Sequence, residues 1–182
     1  MPRQKILFFI ALFLLGGTFF LLWNDYENPR CIEDIITSQV SGRSLEGVVT
    51  EGSRVEILKG FYHCNKLHRE DLIVYQTEDG RDPLIKIVKG ISGDRFFLEK
   101  VGESWRIRIN GKFLRTSQGE PYQFRGSKAE ILLKEQERSD GLIPSGYALI
   151  FGNIAQGSVD SSRFGLIPLG KIIGKAICSE CF

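Results

Sequence analysis

The chain has 182 residues, 42% hydrophobic and 25% charged, with a formal net charge of +2. That length suits one domain with a sizeable core. The near balance of charge lacks the basic footprint that phosphate neutralisation demands, so no nucleic-acid partner is expected.

The N-terminus departs from this ordinary composition. From Ile6 to Trp23 the sequence reads I-L-F-F-I-A-L-F-L-L-G-G-T-F-F-L-L-W, without a charge. At about 1.5 Å per residue, such a run spans most of a hydrocarbon core of roughly 30 Å. A cleaved signal peptide would have a shorter apolar stretch and a small-residue exit. Here the exit is Leu22-Trp23-Asn24-Asp25-Tyr26, bulky and aromatic, which suits an interfacial anchor. A buried core helix would show a polar face, and none is present. The reading is an uncleaved single-pass anchor, with the lipid bilayer as partner. Arg3 and Lys5 precede it and Asp25 and Glu27 follow, so the positive-inside rule favours a cytoplasmic N-terminus. Residues 1–23 are then the cytoplasmic tip and anchor, 24–43 a juxtamembrane segment and 44–182 an extracytoplasmic domain.

Cys31, Cys64, Cys178 and Cys181 fit that placement. An even number in an exported domain points to two disulfides, with three pairings open. The alternative for Cys178-Ser179-Glu180-Cys181 is a redox or metal C-x-x-C. A zinc site would need two more ligands from Cys31, Cys64, His63 and His68, and a redox pair normally opens a helix. Structural disulfides are the expectation, with no metal and no cofactor.

Residues Ile32 to Val40 read as a short juxtamembrane helix. Beyond them, short apolar runs alternate with Gly, Asp, Asn and Ser. These are Gly47–Val49, Leu72–Tyr75, Leu84–Val88, Arg95–Glu99, Trp105–Ile109, Tyr147–Phe151 and Lys171–Ala176. Strands at this spacing between turn residues predict a mostly β domain. Trp105 to Ile109 alternates W-R-I-R-I, and Asn110-Gly111 after it is a hairpin-turn dipeptide. Lys128 to Arg138 (K-A-E-I-L-L-K-E-Q-E-R) reads as a helix.

Neither His63 nor His68 sits in a recognisable nucleophile or base motif. A serine–lysine pair is the other route to a nucleophile, because a desolvated lysine can act as base. In Leu84-Ile85-Lys86-Ile87-Val88, strand alternation sets Lys86 on an apolar face with Leu84 and Val88. A lone strand lysine is usually a solvated edge residue; its neighbours change that balance.

Residues 85–94, I-K-I-V-K-G-I-S-G-D, closely resemble the I-K-R-V-V-G-L-P-G-D box of the signal peptidase I (S26) family. The match aligns Gly90, Gly93 and Asp94 and sets Lys86 on the family's catalytic lysine, while Lys89 falls on an apolar position. Arg69–Tyr75 resembles R-G-D-I-V-V-F, and Ile109–Lys112 resembles I-N-G-K. Ile143–Tyr147, continuing to Gly152-Asn153, resembles V-P-x-G-x-Y…G-D-N. Ser158–Ser161, Phe164-Gly165 and Ile172–Ala176 resemble S-x-D-S-R…F-G…I-I-G-K-A. The blocks are collinear over roughly residues 45–176.

Glu51–Leu58 aligns with the family's S-G-S-M-x-P-T-L, setting Ser53 on the nucleophile. Gly52 and Leu58 match; Arg54, Glu56 and Ile57 depart from it, and Glu51 stands at an oxyanion-serine position. Asn153 replaces the aspartate of G-D-N. The arginine of D-S-R falls on Ser162, with Arg163 displaced by one.

The resemblance implies a signal-peptidase-like β domain of coiled antiparallel sheets behind one transmembrane helix, in the inner (cytoplasmic) membrane with its domain on the periplasmic side. It implies a Ser53–Lys86 dyad cutting signal or leader peptides from exported preproteins. Ser158 would orient the Lys86 amine, and Asp160 and Arg163 would support the loop. Substrate would add as a strand along Gly47, Val48, Val49 and Thr50 and along Asp82, Pro83, Leu84 and Ile85. Two alternatives stand beside this: a dedicated pilin-maturation peptidase of a conjugative (TraF-type) system, and a non-catalytic membrane-anchored relative.

Overall fold

The computed structural model describes residues 27–77, 80 and 82–178. The Ile6–Trp23 run lies outside them; among the described residues no helix is long and apolar enough to cross a membrane.

The described residues form two antiparallel sheets. The strands are β1 (Asp34–Gln39), β2 (Arg54–Lys59), β3 (Leu72–Tyr75), β4 (Leu84–Gly90), β5 (Phe96–Val101), β6 (Ser104–Ile109), β7 (Lys112–Phe113), β8 (Gln123–Phe124), β9 (Tyr147–Phe151), β10 (Ile167–Pro168) and β11 (Ile172–Ile177). The larger sheet runs β1-β2-β11-β3-β4-β9-β10, so the last strand returns between β2 and β3. The smaller sheet is β5-β6-β7, with β8 also on β6. Helix α1 (Ser127–Ser139) covers the smaller sheet, and the four-residue α2 (Ser161–Phe164) lies between β9 and β10. The mostly β reading holds, and so does the helix read over 128–138.

The local sequence explains several of these elements. Asn110 and Gly111 both have positive φ, 49° and 80°. That backbone makes the tight turn that pairs Ile109 with Lys112. In β6, Ile107 and Ile109 are buried while the intervening arginines stay partly exposed. The aromatic core beneath joins Phe96, Tyr122, Phe124 and Phe151 with Leu132 of α1 and Leu149 of β9.

Two expectations fail. Residues 32–40 are not a helix: Ile35, Ile36 and Thr37 are β-branched, and Asp34–Gln39 pairs antiparallel with Arg54–Lys59. Gly47–Val49 is not a strand. It belongs to a turning loop, Val40–Ser53, between β1 and β2. The loop's ends are tied by Val40 N–H to the Ser53 carbonyl (2.9 Å) and Gly52 N–H to the Val40 carbonyl (2.8 Å).

Cys31 and Cys64 form a disulfide, tying the lead-in to β1 to the turn after β2. Cys178 is also disulfide-bonded; Cys181 lies outside the described residues.

Candidate active site

The loop between β1 and β2 is shaped by two apolar anchors, Leu45 and Val49, each 1% exposed. They pack with Val40, Val55 and Ile87. Ile87 is the β4 residue next to Lys86, so burying these anchors delivers Ser44 to the lysine. Lys86 Nζ lies 3.0 Å from Ser44 Oγ and donates to the Ile85 carbonyl at 2.8 Å. A second clamp comes from the loop just after β9: the Asn153 N–H donates to the Ser44 carbonyl at 2.6 Å. The Asn153 side chain bonds the Glu46 carbonyl (2.7 Å), Ser117 Oγ (2.7 Å) and the Ser117 N–H (2.8 Å).

Lys86 is 3% exposed. Burial pushes its ammonium down from 10.5 to about 8, while the Asp160 carboxylate pulls it back up. At neutral pH roughly a tenth of the lysine is then uncharged, against less than a thousandth in solution. The neutral amine has a lone pair to accept the Ser44 hydroxyl proton. The Ser44 N–H has no acceptor among the described residues, which leaves a donor beside the hydroxyl oxygen.

Ser53 is not brought to Lys86. It ends the β1–β2 connection, with its N–H on the Thr50 carbonyl and its carbonyl taken by Val40. It lines a different depression, with Thr37, Ser38, Gln39, Gly52 and Arg54. The motif that places Ser44 is the family's S-M-x-P-T-L read nine residues earlier. Leu45 then stands for Met, Gly47 for Pro and Val49 for Leu. The sequence signal was this pair of apolar positions, both of which are buried anchors. Gly42 then takes the oxyanion-serine position assigned to Glu51. The Glu51 carboxylate accepts the Gly42 N–H at 2.9 Å instead.

A cleft of about 1050 Å³ contains Ser44 and Lys86. Asp82, Pro83, Leu84 and Ile85 line it, whereas Gly47, Val48, Val49 and Thr50 do not; Ile36–Ser41 of β1 and its exit line it in their stead. The same nine-residue offset accounts for this change. The cleft floor is the apolar sheet face of Ile57, Val74, Ile85 and Ile173. β1 is an edge strand, and β9 joins β4 only from Ile87 onward. Both walls therefore offer unpaired strand edge.

Ser158 lines the cleft, but its hydroxyl donates to Asp160 Oδ2 at 2.7 Å rather than meeting the Lys86 amine. Asp160 is fully buried. It also accepts the N–H groups of Gly152, Ser158 and Ser162 and the Ser162 hydroxyl. Ser162 thus occupies the place expected for the motif's arginine, and Arg163 is exposed. Lys89 is buried in an ion pair with Glu70, its Nζ 2.7 Å from Oε2. Asp94 of the lysine box pins the turn after β4, accepting from Ile91 N–H, Asn110 Nδ2 and Arg69. Among the described residues no cluster of His, Cys, Asp or Glu could hold a metal ion.

A serine hydroxyl thus lies against a buried, partly neutral lysine in a cleft walled by strand edges. The chain belongs to the signal peptidase S26 family, whose profile, described as signal peptidase, peptidase S26, matches residues 32–179. It is 26% identical over 147 residues to signal peptidase IB of Staphylococcus aureus (strain COL), covering 75% of this chain and 72% of that protein. It is 25% identical over 139 residues to signal peptidase I of Bacillus caldolyticus, covering 75% and 74%. A crystal structure of a signal peptidase I from Enterococcus faecalis V583 aligns at 21% identity with a TM-score of 0.42, over 61% of this chain and 97% of that one. Membership places the chain among the serine peptidases.

Proposed function

We propose that the protein is a membrane-anchored signal peptidase in which Ser44 is the nucleophile and Lys86 its general base. The observation that carries this reading is the 3.0 Å contact between Lys86 Nζ and Ser44 Oγ inside the cleft. Neutral Lys86 takes the hydroxyl proton as Ser44 Oγ attacks the scissile carbonyl. The Ser44 N–H donates to the oxyanion that develops. The lysine then gives its proton to the departing amine, leaving an acyl-enzyme. It deprotonates the water that releases the acyl group in the second half-reaction.

Substrate adds as an extended strand between Ile36–Ser41 and Asp82–Ile85. Side chains before the cut rest on the floor of Ile57, Val74, Ile85 and Ile173, which favours small apolar residues. Ser158 and Asp160 act behind the dyad, through loop geometry and the field at Lys86. The Ile6–Trp23 run anchors the chain with its N-terminus in the cytoplasm and the cleft on the extracytoplasmic side, where exported preproteins emerge. The named relatives are signal peptidases I and IB, and nothing in the cleft favours a dedicated pilin-maturing branch.

The test is cleavage of a preprotein with an Ala-x-Ala exit by the full chain in detergent. Wild type and Ser53→Ala cut it; Ser44→Ala and Lys86→Ala do not. Loss with Ser53→Ala and retention with Ser44→Ala would refute the assignment.

A further inference from the structure

Arg163 reaches the cleft because of how Asp160 is satisfied. A carboxylate offers about four lone-pair sites. Asp160 accepts from the N–H groups of Gly152, Ser158 and Ser162 and from the hydroxyls of Ser158 and Ser162. Its capacity is filled without a guanidinium. Ser162 supplies two of those donors from the position next to Arg163, and the arginine is left exposed on α2.

There it lines the cleft that holds Ser44 and Lys86. Among the described residues its guanidinium has no ion-pair or hydrogen-bond partner. The wall around it is formed by Ser127, Lys128 and Ile131 of α1 and by Val159. Lys128 Nζ donates to the carbonyls of Gln156 and Gly157, at 2.9 and 2.8 Å. Those acceptors are neutral, so its charge is not cancelled. The α1–α2 wall therefore carries two cations and no carboxylate facing the cleft. Among the described residues, the acidic one that lines the cleft is Asp82, which stands with Pro83 and Leu84.

We infer that Arg163 selects substrates with an acidic side chain in the segment that crosses the α1–α2 wall. The inference rests on Ser44 and Lys86 as the reacting pair. An exchange of charge at one substrate position changes kcat/KM by roughly three- to fivefold, as expected for a solvent-accessible ion pair. The preference shrinks as salt is raised, because the pair faces water.

The experiment uses one cleavable peptide with Glu, Gln or Lys placed in turn at each position on either side of the cut. The full chain and its Arg163→Glu variant are compared by kcat/KM. Binding of the same peptides to Ser44→Ala, with and without Arg163→Glu, is read by fluorescence anisotropy. At one position the wild-type order is Glu, then Gln, then Lys, and Arg163→Glu reverses it in both readouts. An order that is absent, or identical in both proteins, overturns the inference while leaving the dyad intact. Retained cleavage in Ser44→Ala with loss in Ser53→Ala refutes the dyad, and anisotropy then decides on Arg163 separately. An unchanged peptide order with loss of binding to anionic vesicles in Arg163→Glu also overturns it, assigning the arginine to the membrane surface.

Discussion

Ser44 and Ser158 meet across Gly152: a Cβ on that glycine would lie 2.6 Å from the Ser44 carbonyl and 2.5 Å from Ser158 Oγ. The glycine is therefore a spacer between the loop that carries one serine and the loop that carries the other. Gly152→Ala forces one of the two to move. Because displacements of about 1 Å at a reacting group cost on the order of 100-fold, kcat should fall by about that factor. Far-ultraviolet circular dichroism should stay unchanged. Full activity in Gly152→Ala would show that the Ser44 loop has slack.

Asn153 holds the same loop from the other side. Its amide donates to the Glu46 carbonyl and to Ser117 Oγ. Asn153→Asp replaces those donors with a carboxylate facing carbonyl oxygen. The cost of unsatisfied buried groups is about 1–3 kcal/mol. A fall in unfolding free energy of that size, read from urea titrations, is expected, with activity lost in parallel, even though the family motif carries aspartate there. A more stable or more active Asn153→Asp would contradict the role given to Glu46 and Ser117.

Asp160 raises the affinity of Lys86 for its proton, opposing the stronger effect of burial. Asp160→Asn removes that attraction, so the ammonium form becomes still less favourable and the lysine titrates below about 8. The proposed base is the neutral amine, so the acid limb of the kcat/KM profile should move to lower pH. A move to higher pH, or none, would show that Asp160 does not act on the lysine. The amide also loses acceptor capacity towards five donors, so the maximum rate and the melting temperature both drop.

Lys86 itself is bought at a cost in stability. Its folded value near 8 lies below the ordinary 10.5, so the unfolded chain binds the extra proton between those two values. The penalty is full below pH 8, about 3 kcal/mol, and fades to nothing above pH 10.5. Lys86→Met keeps the volume and removes the charge. It should be inactive yet more stable than wild type at pH 7, and the advantage should vanish as pH rises through that window. Denaturant titrations at a series of pH values provide the check.

How much could be read from the residues alone depended on whether the signal was local. The Lys86 box is a strand pattern with fixed glycines, and Asn110-Gly111 is a turn with its own backbone preference, so both were legible. β1 was not, since its pairing with β2 spans the Val40–Ser53 loop and no local period records it. The place of Ser44 beside Lys86 was not legible because a serine in a loop has no periodicity, and Gly52-Ser53 carries the motif's Gly-Ser pair away from the lysine. What distinguishes them is the burial of Leu45 and Val49 against Ile87, a tertiary fact. The exposure of Arg163 follows from the donor geometry around Asp160, which a one-residue shift in sequence only hints at.

The proposed nucleophile is Ser44. The most direct measurement is to trap the full chain with an acylating ester of a signal-peptide fragment and map the adduct by peptide mass spectrometry. Acylation on Ser44, abolished in Lys86→Ala and undiminished in Ser53→Ala, is the predicted result. An adduct on Ser53 would contradict the account.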